Sequence, residues 1–200
     1  MSRPVCPQCQ YPVNACLCDS IRPLETRVEL IVLQHPSEVS HAKNSVKLMQ
    51  AVMGEQLRLV VGETPEDFAD LRGYLAAQSG PVCLLYPSET SQPLEASVQH
   101  HDAILLLLDG TWRKAYKLLQ LNPWLLEFTG VHLDLDAPSK YTIRKAKRDD
   151  SLSTLEAAAL AIETLEPGCD VSPLHDALAA LVEKRLAAMP ASVRQRYEPK

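Results

Sequence analysis

The chain has 200 residues, 46% of them apolar and 22% charged, a composition that fits one well-buried core with a small appendage. A net charge of −5 and a pI near 5.7 argue against a protein that coats a polyanion by overall charge, so a nucleic-acid partner must be met by a local basic cluster. Apolar runs such as Ala103–Leu108 are too short to cross a bilayer, and Cys, Pro and Asp stand where a secretory leader needs an apolar stretch. The expectation is a soluble, cytoplasmic protein with no membrane partner.

In chain order, the first feature is a cysteine cluster, Cys6-x2-Cys9-x6-Cys16-x-Cys18, while Cys83 and Cys169 stand alone. Thiolates this close in a reducing compartment point to a tetrahedral metal site, with zinc as the expected ion. A thioredoxin-like Cys-Pro-x-Cys redox pair belongs at a strand-to-helix junction, whereas this one precedes the first expected strand. All four positions come from protein, so the zinc would be structural. Composition changes near Pro23, which divides the chain into a zinc-binding segment, residues 1–24, and a larger domain, residues 25–200.

Apolar, β-branched-rich segments then recur at Val28–Leu33, Leu57–Val61, Val82–Tyr86, Ala103–Leu108 and Val131–Leu135, each reading as a strand. Helical patterns cover Lys43–Met53, Pro65–Gln78 and Arg113–Leu121, and two more follow the last strand. One carries Leu155, Ala158, Ala159, Ile162 and Leu165 on a stripe, the other Leu174, Leu178, Leu181, Val182 and Leu186. Pro87–His101 reads as a loop or short irregular helix, and the tail after Pro190 as a short helix or disordered. The alternation predicts an α/β fold: a mostly parallel sheet with helices on both faces.

Several strand ends carry polar motifs, and in open α/β sheets ligands gather at the carboxyl ends of strands. Asp109-Gly110-Thr111-Trp112 follows the fourth strand. Its bland reading is a turn in which Asp109 or Thr111 caps the next helix and Trp112 packs in the core. Ser153 and Glu156 have capping-box spacing, so a helix begins there with amides and a dipole end suited to a ligand carboxylate. Just before it, Lys140, Arg144, Lys145, Lys147 and Arg148 form a run without an acid, and Arg113, Lys114 and Lys117 form a second group; solvated faces are the alternative for both. His35-Pro36-x-Glu38 with Asn44-Ser45, and Tyr86-Pro87-Ser88-Glu89, follow the first and third strands, where spacing alone assigns no role.

Taken together, in this order, the motifs resemble the DTW-domain family: His35-Pro36-x-Glu38 with Asn44, Tyr86-Pro87-Ser88-Glu89, Asp109-x-Thr111-Trp112, Tyr141-x-Ile143-Arg144 and Leu152-Ser153-Thr154-Leu155-Glu156-Ala157, with the N-terminal cysteines. The resemblance runs from about Cys6 to Leu165, and Ser45 stands where members commonly carry Thr. It implies an enzyme that moves the 3-amino-3-carboxypropyl group of S-adenosylmethionine to N3 of a uridine in tRNA. It also implies a SPOUT-like fold with a C-terminal trefoil knot, which pattern reasoning alone would not propose.

Under that resemblance Asp109 is the expected general base for N3, or else a structural cap. The donor is expected against Tyr86, Pro87, Leu108, Gly110, Thr111, Trp112, Ser151, Ser153, Thr154 and Glu156. The tRNA is expected against His35, Glu38, Asn44, Lys140, Arg144, Lys145, Lys147 and Arg148, with the flipped uridine stacked on Tyr86 or Trp112. Two other readings stay open: an S-adenosylmethionine-dependent RNA methyltransferase, and a non-catalytic zinc-containing RNA-binding protein. The oligomeric state is left open too.

Overall fold

Successive side chains along a strand point to opposite faces, so a strand that is apolar throughout must be covered on both. β1 (Glu29–Gln34) and β5 (Ile104–Asp109) are such strands, paired in parallel with Gln34 opposite Asp109. With β2 (Leu57–Val61), β3 (Val82–Leu85), β4 (Gln92–Pro93) and β6 (Thr129–His132) they form a sheet in the order β2-β1-β5-β3-β6-β4, and each of its pairings is parallel. The structure, a computed structural model, describes residues 4–41, 44–97, 103–134 and 152–194.

One face of the sheet carries Leu30, Val32, Leu105 and Leu107. They pack with α1 (Val46–Met53), α5 (Thr154–Leu165) and α6 (Ser172–Ala187) through Met49, Ile162 and Leu178 among others. The other face carries Ile31, Leu33, Ile104 and Leu106, covered by α2 (Ala69–Ala76) and α4 (Trp112–Leu121) through Leu71, Leu75 and Leu118. The expected helices on both faces are therefore present. Each of these fully buried aliphatic side chains contributes about 1.5–3 kcal/mol relative to exposure. Cys9, Tyr11, Leu17 and Leu24 of the N-terminal segment belong to the first cluster, so that segment packs on the core of the sheet.

Local polar bonds explain where elements depart from their expected bounds. Asp67 Oδ2 accepts from the amides of Glu63 and Thr64 at 2.8 and 2.9 Å, which holds Pro65–Phe68 in turns and delays α2 to Ala69. Asn44 Oδ1 accepts from the Val46 amide at 2.9 Å, and α1 starts there. β6 begins at Thr129 because Thr129 and Gly130 pair with Cys83 and Leu84, although neither has the apolar character that marked the expected Val131–Leu135, of which Leu135 lies outside the described residues. Within Pro87–His101 lie β4, an edge strand that tolerates Pro93, and α3 (Leu94–Ser97). The tail begins as α7 (Ala191–Arg194). Residues 135–151 lie outside the described residues.

Candidate active site and metal centre

All strands run in one direction, so their C-terminal ends share an edge, and a cavity of about 680 Å³ opens there between β3, β5, β6 and the start of α5. Of the residues expected to meet the donor, Tyr86, Pro87, Leu108, Gly110, Trp112, Ser153 and Thr154 line it. Leu107, Leu133 and Leu152 add apolar wall, and His132 adds a polar group. The Tyr86 and Trp112 rings meet edge to face with centroids 5.9 Å apart, and Trp112 is 47% exposed rather than packed in the core. A Cβ on Gly110 would come within 3.0 Å of Lys114 Cβ, so the close entry of the chain into α4 favours glycine.

Thr111 and Glu156 are not among the residues lining the cavity; they fix the helices beside it. Thr111 is the N-cap of α4 and accepts from the Lys114 amide at 3.4 Å. Ser153 and Glu156 form the expected capping box: Ser153 Oγ accepts from the Glu156 amide at 3.2 Å, and Glu156 Oε2 accepts from the Ser153 amide at 2.8 Å. Those two amides are thereby used within the box and do not serve a ligand carboxylate. Ser151 lies outside the described residues.

Asp109 is buried, and its side chain is absent from the lining of the cavity. Its Oδ2 accepts from Gln34 Nε2 at 2.7 Å and its Oδ1 from Thr154 Oγ1 at 2.6 Å. The carboxylate thus joins β5 to β1 and to the first turn of α5. It does not cap α4, which Thr111 does.

The residues expected on the RNA side are held in a polar network. Asn44 donates to the carbonyls of Glu38 and Val39 at 3.1 and 3.4 Å and accepts from Gln34 at 3.4 Å. Glu38 accepts from Lys114 at 2.6 Å, and Glu63 bonds Lys117 and His35 at 2.6 and 3.0 Å. The Lys117 ammonium, followed by His35, holds the Glu63 carboxyl below its usual range. Lys114 and Lys117, two members of the second basic group, are therefore matched by acids. Lys140, Arg144, Lys145, Lys147 and Arg148 lie outside the described residues.

The four clustered cysteines converge as their spacing predicts. Their sulfurs lie within 4.8 Å of one another, with Cys6–Cys18 at 3.6 Å and Cys9–Cys16 at 3.7 Å. Tetrahedral thiolate coordination at about 2.3 Å per bond needs sulfurs about 3.8 Å apart, so the geometry fits a metal ion. The chain turns directly after the second cysteine with Gln10 at φ 60, a left-handed conformation fixed by the Gln10 amide donating to the Cys6 carbonyl at 3.0 Å. Backbone amides of Cys9 and Gln8 pull the Cys6 thiol down, while bonding with the Cys16 thiol pushes Cys18 up. Four thiolates this close need a cation to be ionised together. Burial raises Cys83 and Cys169, as suits inert thiols.

Two residues of this edge carried no sequence signal of their own. Gln34, 1% exposed, closes an apolar strand and gains its role only through Asn44 and Asp109. His132 ends β6, and only that place at a strand terminus could have singled it out.

Comparison with known proteins finds relatives over most of the chain. The chain is 29% identical to tRNA-uridine aminocarboxypropyltransferase 2 of Mus musculus over 82% of its own length and 57% of that protein's, and so spans little more than half of that relative. It is 33% identical to tRNA-uridine aminocarboxypropyltransferase 2 of Drosophila melanogaster, covering 85% of this chain and 72% of the fly protein. It is 24% identical to tRNA-uridine aminocarboxypropyltransferase A of Arabidopsis thaliana, covering 82% and 74%. The DTW domain model matches residues 3–186, which takes in both the cysteine segment and every strand of the sheet. The chain belongs to the DTW-domain family.

Proposed function

We propose that the protein transfers the 3-amino-3-carboxypropyl group of S-adenosylmethionine to N3 of a uridine in tRNA. The observation that carries this reading is the cavity: its 680 Å³ is in the range that encloses a nucleoside-sized ligand, and three motifs far apart in sequence meet in it. The relatives named tRNA-uridine aminocarboxypropyltransferase support the reaction class. A sulfonium donor can be attacked at its methyl carbon or at the γ-carbon of its methionine part, so the protein selects the product by placement. Leu107, Leu108, Leu133 and Leu152 supply an apolar wall for the donor, and Tyr86 and Trp112 a surface on which a uracil can stack.

Asp109 enters this reading through what it holds. Its two oxygens accept from Gln34 and Thr154, and through the second bond it fixes Thr154, which lines the cavity. His35, Glu38 and Asn44 shape the loop after β1 at the same edge, and Lys140, Arg144, Lys145, Lys147 and Arg148 supply phosphate contacts. The four cysteines hold zinc, which secures the N-terminal segment on the core and leaves no open position for chemistry. A trefoil knot and a cytoplasmic location belong to the same reading.

Isothermal calorimetry tests whether the cavity is a donor site. One S-adenosylmethionine per chain is expected; no heat at millimolar donor would contradict the reading and leave an RNA-binding protein.

A further inference from the structure

The transfer proposed above requires uracil N3 to lose its proton, and the cavity offers few groups to take it. Among the described residues that line it, only Tyr86 and His132 have ionisable side chains. Burial, and then the nearby Tyr116, pushes the Tyr86 phenol above its usual range, so it stays protonated at neutral pH. Asp109 is absent from the lining, with both oxygens already accepting.

His132 is prepared by Ser91. The Ser91 hydroxyl donates its one hydrogen to the Ser88 carbonyl at 2.9 Å and accepts from the Ser88 amide at 2.9 Å. It also lies 2.9 Å from His132 Nδ1. With its hydrogen committed, Ser91 must accept there, so Nδ1 carries the ring proton and Nε2 the lone pair. Asp134 Oδ1 lies 3.7 Å from Nε2, beyond hydrogen-bonding distance.

We infer that His132 is the proton acceptor of the transfer, held by Ser91 in the tautomer that leaves Nε2 basic. The inference rests on the proposed reaction. As the N3–H proton passes to Nε2, N3 bonds to the γ-carbon of the donor and the γ-carbon–sulfur bond breaks. The sulfur keeps that electron pair and leaves as the thioether of methylthioadenosine, and the imidazolium returns its proton to solvent.

The test is His132→Asn, whose amide can still donate to Ser91, followed in single-turnover transfer to tRNA across pH. A fall of about 10²- to 10⁴-fold at neutral pH is expected, recovering about tenfold per pH unit as ionised N3 accumulates, with donor affinity within about twofold of the parent. A rate within about threefold of the parent, or a loss that no rise in pH restores, would overturn the assignment. Nitrogen NMR of the parent labelled in histidine gives a readout independent of activity: a proton on Nδ1 of His132 is expected, and a proton on Nε2 overturns it. A parent that releases no methylthioadenosine overturns the transfer itself, a result distinct from either tautomer.

Discussion

Asp109 ends β5 with two strong hydrogen bonds, one to Gln34 of β1 and one to Thr154 of α5, so one side chain fixes three elements at the rim of the cavity. Bonds to a carboxylate are worth about 1.5–3 kcal/mol and neutral ones about half that. In Asp109→Asn the amide can still accept from Gln34 and donate to the Thr154 hydroxyl. Thermal melting should therefore report a loss of about 1–2 kcal/mol. Single-turnover transfer should slow about tenfold, with the deficit unchanged by pH, because the substitution loosens a wall and removes no base. A loss of about 10²- to 10⁴-fold with melting intact and recovery at high pH would make Asp109 the base after all.

Elements were legible in the sequence wherever a local rule fixed them. The apolar runs of β1 and β5 and the Ser153–Glu156 capping box are local patterns, and each appears where it was expected. β4 escaped notice because two residues, one of them proline, have no periodicity to detect. The cysteine spacing was legible for the same reason as the capping box: four ligands within thirteen positions leave few ways to fold that do not bring their sulfurs together. What the spacing could not show is how this segment reaches the site. Tyr11, buried beside the cysteines, donates to the Asn44 carbonyl at 3.0 Å, and Asn44 in turn contacts Gln34, the partner of Asp109. Protein purified without added metal should carry one zinc per chain, and Cys9→Ser with Cys16→Ser should remove it and lower the melting temperature. Metal analysis that finds zinc retained in the double variant would contradict the assignment.

At the scale of the molecule, the site is a set of side chains that the sheet gathers from distant parts of the chain. Tyr86, Leu108 and Thr154 could be singled out in advance because each sits beside a motif at a strand end or a helix start. His132 could not, because its meaning depends on Ser91, 41 positions away, and on a strand order that no local pattern encodes. Net charge says little about partners, because local pairing decides which cations are available: Lys114 and Lys117 are paired with Glu38 and Glu63. The central claim is the identity of the group transferred. The most direct measurement incubates the protein with S-adenosylmethionine and unmodified tRNA, then resolves the nucleosides and the small-molecule by-product by mass spectrometry. Aminocarboxypropyl-uridine with an equal amount of methylthioadenosine is the predicted result; a methylated nucleoside with S-adenosylhomocysteine, or unaltered tRNA, would contradict it.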